Sequence, residues 1–417
     1  MKPLLLSMAT AAVLAQEPLS EREKELLARL EKLEARLAAL EAKASGPVPA
    51  PVPLPPTRAA KPEEPQAVPP GTSVNVNLDG YFGYNFNRPF SAANTLRAYD
   101  VSHNSLSINQ AGLIVERAPD LERGGRVGGR LDLMFGQATE TLQGSPANEP
   151  RPFVFRHIFQ AYGTVVAPVG RGLTVDFGKW ASSLGIEGNY TKDQWNYSRS
   201  YWFNFLPFYH MGFRATYPVT GKLNASYWLT NGANQTEDFN TFKSQAVALN
   251  LVPSRRFSAN LQYFGGQERR AVNGRAPRGR SHIVDGYFTW HATDRWSFAA
   301  EADYAISRVD PTSAPQRVIG GAGYARYRFN PRFNVAGRFA YLRDSGGLFS
   351  GATQSLKDTT ITATFDLLDG FQMRWEVRRD GSDTAFFPTA GPERLKREQT
   401  AALLGLIWWF GGKRGAW

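Results

Sequence analysis

The sequence predicts an all-β transmembrane fold, an antiparallel β-barrel of about sixteen strands, preceded by an N-terminal α-helical coiled coil. Three observations support this. Apolar and polar residues alternate with period two over much of residues 73–417, which is typical of strands with one apolar and one polar face. Short and long connections alternate between these strands, as they do in outer-membrane barrels. No apolar run reaches the roughly 18 residues of a transmembrane helix.

The composition agrees with this class. The chain has 13% aromatic residues and no cysteine, and its mean hydropathy is only −0.36. Barrel strands need only one apolar face, so a modest mean hydropathy is expected. The absence of cysteine excludes disulfides and thiolate metal sites, and we predict no cofactor or metal. Residues 1–72 are balanced in charge, so the net charge of +11 belongs to residues 73–417. Anionic lipid headgroups or permeating anions fit this excess better than nucleic acid does.

The first residues predict export. Residues 1–15 contain one lysine and an apolar run that ends in Val13-Leu14-Ala15, which resembles a secretory signal peptide. The other interpretation is a buried N-terminal helix. The run is short and polar sequence follows at once, so export is favoured.

Residues 18–45 predict a coiled coil. The leucines of the seam follow steps of four and three, namely Leu26, Leu30, Leu33, Leu37 and Leu40. Such a seam needs other copies of the helix to bury it, and by analogy with porins we favour a trimer. The alternative is a single amphipathic helix lying on another surface. The proline-rich residues 46–72 follow, and they predict a polyproline II spacer.

The alternation predicts about sixteen strands, with fourteen or eighteen as the alternatives. They are expected near 74–86, 104–116, 127–139, 154–166, 172–179, 208–217, 222–230, 243–252, 256–265, 281–290, 295–306, 317–329, 332–342, 358–367, 371–379 and 397–410. The last strand ends on Phe410, and a short tail runs on to Trp417. Either residue could be the terminal aromatic that the barrel-assembly machinery recognises.

The connection after the fifth strand is long, aromatic and aperiodic, and long loops of this kind are usually functional. We expect it to fold into the barrel and narrow the pore, and the alternative is a surface loop packed on its own aromatic residues. The candidate constriction residues in this loop are Glu187, Lys192, Asp193, Trp195, Tyr197 and Arg199.

Several short motifs flank and fill this loop: Phe177-Gly178-Lys179, Gly185, Asn196-Tyr197-Ser198-Arg199-Ser200, and Pro207-Phe208-Tyr209-His210-Met211-Gly212. With these motifs, residues 70–410 resemble the putative β-barrel porin-2 (OmpL-like) family, and more broadly the phosphate-porin-like sixteen-stranded barrels, some of which carry a periplasmic coiled coil. The resemblance implies passive diffusion of small hydrophilic solutes through the bacterial outer membrane, and it names no solute.

Parity along the strands predicts which charges face the lumen, because a charge facing lipid near the midplane costs about 2–4 kcal/mol. The predicted pore-lining residues are Arg130, Arg156, Arg214, Arg326, Arg328, Arg338, Arg374, Arg378, Asp132, Glu301 and Asp303, and Asp79, Asp176, Asp366 and Glu376 share their side. Rings of arginine favour anions. A salt-bridge lattice that only supports the wall is an equal alternative.

The loop 266–280 carries five arginines. This cluster could contact lipopolysaccharide phosphate or attract anions, and a simple solvated loop is an equal interpretation.

We therefore expect an outer-membrane porin with a weak anion preference, a homo-oligomer in contact with outer-membrane lipid and lipopolysaccharide, with its coiled coil in the periplasm. One rival is a structural tether, in which the barrel is an anchor and the coiled coil engages peptidoglycan. A second rival, a barrel enzyme, is disfavoured because the sequence contains no catalytic motif.

Overall fold

The computed structural model describes residues 21–44, 71–143, 149–271, 277–413 and 416. The predicted signal peptide and nearly all of the predicted proline-rich spacer lie outside these residues. The chain divides into two compact units, residues 1–66 and residues 67–417.

The described part of the first unit is one helix, α1 (Glu21–Ala44). Leu30, Leu33 and Leu37 are 55%, 61% and 60% exposed, so three of the seam leucines are available to other copies of the helix. Association of α1 into a coiled coil stays a prediction. Among the described residues, none of the helices has the length and apolar character needed to span a membrane.

The described residues of the second unit contain eighteen strands. These are β1 (Thr72–Asn85), β2 (Ser105–Arg117), β3 (Val127–Phe135), β4 (Ile158–Ala167), β5 (Leu173–Ala181), β6 (Tyr209–Pro218), β7 (Leu223–Thr230), β8 (Ser244–Ser254), β9 (Phe257–Gly266), β10 (Ser281–Trp290), β11 (Trp296–Ser307), β12 (Gln316–Asn330), β13 (Phe333–Ser345), β14 (Gln354–Leu368), β15 (Phe371–Ser382), β16 (Phe387–Pro388), β17 (Leu395–Lys396) and β18 (Glu398–Gly411). The helices of this unit are α2 (Ala138–Gln143), α3 (Pro152–Phe155) and α4 (Tyr201–Phe205).

Sixteen of these strands form one closed antiparallel barrel, and β16 pairs only with β17 in the last long loop. Each barrel strand pairs with the barrel strands that precede and follow it in the chain, so that β15 pairs with β14 and β18. The barrel closes between β1 and β18, with Val76 opposite Phe410 and Tyr84 opposite Ala402. The predicted fold class and the count of sixteen strands are therefore confirmed. We call the two rims the short-turn end and the long-loop end.

The barrel is polar inside and apolar outside. In β1, Asn75, Asn77 and Asp79 are buried in the interior, whereas Val74 and Leu78 alternate with them and are exposed on the outer wall. A soluble sandwich would place the apolar face in its core. This inverted alternation is what a barrel surrounded by lipid requires.

The largest differences from the predicted strand bounds are in β3, β4 and β14, and β14 begins at Gln354, four residues earlier than expected. The structure ends β3 at Phe135, four residues early, and begins β4 at Ile158, four residues late. Gly136 follows β3 with φ = 99°, a conformation that glycine adopts without steric cost. Pro152 begins α3, where its fixed φ suits the first helical turn. These two residues turn the expected strand ends into short helices.

A band of stacked aromatic residues encircles part of the outer wall at the short-turn end. The ring centroids of Trp296 and Tyr327 are 4.7 Å apart, those of Phe329 and Phe333 are 5.0 Å apart, and Phe333 lies 4.9 Å from Phe365. Aromatic girdles of this kind mark the membrane–water interface. The band therefore marks one boundary of the apolar wall.

The apolar wall gives a test of depth. Leu249 is 41% exposed at the middle of β8, and Leu223 begins β7 at the short-turn end. We expect Leu249→Arg to lower the free energy of unfolding by about 2–4 kcal/mol and Leu223→Arg by about 0–1 kcal/mol, because the cost of a lipid-facing charge depends on depth. Reversible urea unfolding in lipid vesicles measures both. Equal costs would contradict the placement of the wall.

Candidate functional site

The loop between β5 and β6, residues 182–208, contains one 3-10 turn at Thr191–Asp193 and the helix α4. The hydroxyl of Ser200 caps α4 by accepting a hydrogen bond from the amide of Phe203, 3.4 Å away. Wall strands on several sides of the barrel bind this loop, as described below. We call residues 182–208 the inner loop.

Carboxylates of the wall accept hydrogen bonds from backbone amides of the inner loop. Oε2 and Oε1 of Glu376 in β15 lie 2.6 and 3.0 Å from the amide nitrogens of Tyr197 and Ser198. Oε2 of Glu301 in β11 lies 2.8 Å from the amide nitrogen of Ile186. Backbone groups that leave water need such partners, and charged acceptors make the stronger bonds.

Arginines of the wall hold the carbonyl groups of the same segment. Nη1 of Arg338 lies 2.7 Å from the carbonyl oxygen of Ser198 and 2.9 Å from Oε1 of Glu187. Arg374 donates to the carbonyl of Asn196 at 3.2 Å. Arg378 donates to the carbonyl of Arg199. These three arginines are buried. The structure therefore uses them to bind the inner loop.

Tyr197 of the inner loop is fully buried against the wall. Its hydroxyl donates to Oδ1 of Asp79 in β1 at 2.6 Å, and its ring lies 5.8 Å from that of Tyr81. A Cβ atom at Gly405 of β18 would lie 2.4 Å from the ring carbons of Tyr197. Gly405 is therefore a notch in the wall that accommodates the ring.

Arg199 lies within the inner loop and not on its surface. Its guanidinium donates to the carbonyls of Gly188, Tyr197 and Asn189 at 2.9, 2.6 and 2.9 Å, and it is 99% buried. It therefore crosslinks two parts of the loop. The expected role of Arg199 as a constriction charge stays untested, and the structure places its charge away from open space.

Three further predicted wall arginines, Arg130, Arg156 and Arg214, form ion pairs with carboxylates. Arg130 and Asp132 lie 2.8 Å apart, and Arg214 binds Asp176 at 2.8 Å. Arg156 lies before β4, not in it, and binds Glu140 of α2 at 3.5 Å. Asp303 is buried in β11 two residues from Glu301.

Trp195, Arg326 and Arg328 differ from these pairs because they border open space. The guanidinium of Arg326 lies 4.7 Å from the ring of Trp195, and Arg328 is exposed two residues further along β12. Both arginines line a cavity of about 310 Å³ at the short-turn end, together with Arg255, Arg256, His291, Thr293, Asp294, Arg295 and Ser297. Five arginines and one aspartate make this cavity strongly positive. We call it the basic cavity.

Two smaller cavities lie against the inner loop. One of about 150 Å³ is lined by Glu187, Asp193, Trp195 and wall residues of β10–β12. The other, of about 140 Å³, is lined mainly by apolar side chains such as Leu142 and Phe208, and Glu187 borders it as well. Glu187 thus stands between the two smaller cavities.

Two ionisable groups outside the strands respond to this environment. Burial, together with the positive charges of Arg326 and Arg328, lowers the pKa of His291 in the turn after β10. Burial also lowers the pKa of Lys192 in the inner loop, although Asp193, 2.7 Å away, acts to raise it. Both shifts reflect the cost of charge away from bulk water. Within the described ranges, no group of three or more His, Asp or Glu side chains could hold a metal ion.

Gly405 and Thr191 are absent from the predicted site residues, because their roles depend on partners far along the chain. Gly405 matters because of Tyr197, and the hydroxyl of Thr191 donates to Asp79. The available signal for Gly405 was a glycine at an inward-facing position of the last strand. Nothing local distinguishes Thr191.

A closed sixteen-stranded barrel, polar inside, apolar outside and filled by a wall-bound loop, is the architecture of an outer-membrane porin. The chain belongs to the putative β-barrel porin-2 (OmpL-like) family, whose model matches residues 71–410. Family and fold together indicate a channel of the bacterial outer membrane and not an enzyme. They give no support to the structural tether.

Solved structures show the same fold at low sequence identity. The outer membrane channel DcaP of Acinetobacter baumannii is 12% identical with a TM-score of 0.53, over 81% of this chain and 97% of that chain. An anion-selective porin from Comamonas acidovorans is 12% identical with a TM-score of 0.54, over 81% and 99%. The trimer form of OmpT from Vibrio cholerae is 9% identical with a TM-score of 0.52, over 81% and 99%. A comparison with curated protein sequences finds no match.

The contacts of Glu376 give a test of how the inner loop is held. In Glu376→Gln the charged acceptor is lost, so we expect the amides of Tyr197 and Ser198 to exchange hydrogen about 10- to 100-fold faster, because a hydrogen bond to a charged group is worth about 1.5–3 kcal/mol. Hydrogen exchange with mass spectrometry measures this. Glu398→Gln, an exposed change on the adjacent strand, is the control. Unchanged exchange in Glu376→Gln would contradict the assignment.

Proposed function

We propose that the protein is a porin for the passive diffusion of small hydrophilic solutes, with a weak preference for anions. The observation that carries the preference is the basic cavity, in which Arg326 and Arg328 face open space beside the inner loop. The remaining predicted lumen arginines bind carboxylates or backbone carbonyls. The arginines available for contact with a solute are therefore Arg326, Arg328 and those of the neighbouring turns.

The cavities suggest a route along β10–β12. Ser297 of the basic cavity and Ala299 of the 150 Å³ cavity are two residues apart on the same face of β11. Tyr324 and Arg326 are likewise two residues apart on one face of β12. The ring of Trp195 lies 6.5 Å from the ring of Tyr324 and 4.7 Å from the guanidinium of Arg326. A solute would pass Trp195 between the two cavities. This makes Trp195 the proposed narrow point and Arg326 the charge beside it.

The size of the spaces supports small solutes. The inner loop binds β1 through Asp79, β11 through Glu301 and β15 through Glu376, so it fills much of the lumen. The cavities that remain next to it are about 140 and 150 Å³. We propose Glu187, Lys192, Asp193, Trp195 and Tyr197 as the constriction, with Tyr197 as an anchor to the wall.

Charge removal at the basic cavity tests the anion preference. We expect Arg326→Gln/Arg328→Gln to lower the anion-to-cation permeability ratio about fivefold or more at low salt, because one unit charge about 4 Å from an ion changes its energy in water by about 1 kcal/mol. Reversal potentials of purified protein in planar bilayers under a salt gradient measure this ratio.

Lys396→Gln/Arg397→Gln removes the same charge from exposed positions of a long loop and is the control, which should keep the wild-type ratio. A cation preference in the wild type, or an equal shift in both variants, would reject the role of the basic cavity. Folded protein, shown by heat-modifiable gel mobility, without stepwise conductance would reject the porin proposal itself.

We also propose that the protein is a trimer whose residues 18–45 form a coiled coil in the periplasm. The exposed leucines of α1 support self-association, and one structure of similar fold is described as a trimer form. In α1, Leu30 and Leu37 lie at seam positions, while Ala28 and Ala35 lie on the opposite face of the heptad.

We expect Leu30→Lys/Leu37→Lys to shift the detergent-solubilised protein from trimer toward monomer or to lower the midpoint of trimer dissociation on heating. Ala28→Lys/Ala35→Lys adds the same charge outside the seam and should leave the trimer intact. Native mass spectrometry measures the copy number. A monomeric wild type, or equal effects of the two variants, would rule out the proposed coiled coil.

A further inference from the structure

A second basic cavity lies at the opposite rim, on the outer wall of the barrel. It has a volume of about 220 Å³ and is lined by Arg278, Arg280, His282, Ile306, Arg308 and Pro311. We call it the rim cavity. It is formed by the start of β10, the end of β11 and the two long loops that adjoin them.

The rim cavity faces lipid and not the lumen. His282 and Ile306 are cross-strand partners on β10 and β11, and they alternate with Ile283 and Ala305, which are buried inside the barrel. His282 is the second residue of β10 and Ile306 the last but one of β11. The cavity therefore opens outward at the long-loop end, where the outer leaflet ends.

The positive charges of the rim cavity are not balanced by neighbouring carboxylates of the described residues. In the part of the chain that the structure describes, no ion pair involves Arg278, Arg280 or Arg308. Arg308 donates to the carbonyl of Ser313, and the guanidinium of Arg280 lies 5.5 Å from the ring of Phe242. Neither contact neutralises a guanidinium. A positive cavity beside an apolar wall is suited to a lipid that carries an anionic headgroup.

The neighbouring strands of the outer wall also carry exposed basic residues near their long-loop ends. Arg317, Arg343 and Lys357 are exposed within four residues of the long-loop ends of β12, β13 and β14. Their cross-strand partners Ile306, Ile319 and Tyr341 lie on the outward face.

The corresponding four-residue strand ends of β1–β9 contain one basic residue, Lys179, and it is buried. Within these strand ends, exposed positive charge thus lies on β12–β14 and not on β1–β9, although Lys243 is exposed one residue before β8.

We propose that the rim cavity binds the phosphate group of a phosphorylated glycolipid of the outer leaflet. Arg280 and Arg308 would donate to the phosphate oxygens, since guanidinium groups match phosphate geometry. Ile306 and Pro311 would contact the apolar part of the lipid. The proposed ligand is a lipid and not free phosphate, because the cavity adjoins exposed apolar wall at Val284. This binding does not involve the lumen, so it is independent of the proposed pore.

The experiment uses the full chain in detergent and neutral lipid vesicles that contain diphosphoryl lipid A or its dephosphorylated form. We expect the wild type to bind the diphosphoryl form preferentially. Arg280→Gln/Arg308→Gln should bind it about thirtyfold more weakly, since each basic group at an anionic lipid surface contributes about a fivefold factor. Lys222→Gln/Arg332→Gln, at exposed turns of the opposite rim, should bind as the wild type does.

Three results would overturn the proposal: equal binding of the dephosphorylated lipid, equal binding by Arg280→Gln/Arg308→Gln, or displacement of lipid A by inorganic phosphate at a similar concentration. The last result would identify a free-anion site. Arg280→Lys/Arg308→Lys keeps the charge and loses the paired donors, so we expect intermediate binding. Heat-modifiable mobility confirms folding of each variant. Unchanged conductance of Arg280→Gln/Arg308→Gln would separate this site from the pore.

Discussion

The structure depends on the need to satisfy the backbone of a loop that has left bulk water. Residues 182–208 have little regular structure, so they cannot pair their own amides and carbonyls as a helix or strand would. Irregular backbone at membrane depth is tolerated only inside protein or along a water-filled cavity. The wall supplies the partners: Glu301 and Glu376 accept from the loop, and Arg338, Arg374 and Arg378 donate to it.

This requirement divides the charges of the lumen into two sets. Arg338 is the clearest member of the first set, because it contacts a carbonyl, Glu187 and Asp358 at once. Such a group is committed to the structure, and removing its partner would leave a buried charge unpaired. Arg326 and Arg328 form the second set, whose charge reaches open space. Under the proposed function, the selectivity of the channel would therefore depend on fewer residues than the parity of the strands suggests.

The fold could be predicted because period-two alternation and connection length are local properties of the chain. The bounds of β10, for example, agree fully with the expectation. The ends of β3 and β4 could not be predicted, since Gly136 and Pro152 act through local geometry that competes with an apolar pattern. In general, alternation identifies a strand more surely than it identifies the residue at which the strand ends.

The inward direction of the lumen charges can also be predicted from the local sequence pattern. The residues that these charges bind cannot. Arg338 and Glu187 are 151 residues apart, and no periodicity of a single sequence links them. The same holds for the choice between a salt-bridge lattice and an anion-facing ring. The structure contains elements of both, with Arg214 paired to Asp176 and Arg328 exposed. The path of the inner loop accounts for the committed state of Arg338, Arg374 and Arg378.

The contacts of Tyr197 also depend on closure of the barrel. Its amide binds Glu376 of β15 and its hydroxyl binds Asp79 of β1, residues 179 and 118 positions away in the chain. These strands come together only through β18, which pairs with both. The complete set of partners of Tyr197 therefore exists only after the two ends of the sheet have met. A sheet that has not yet closed therefore cannot hold the inner loop at both of these strands.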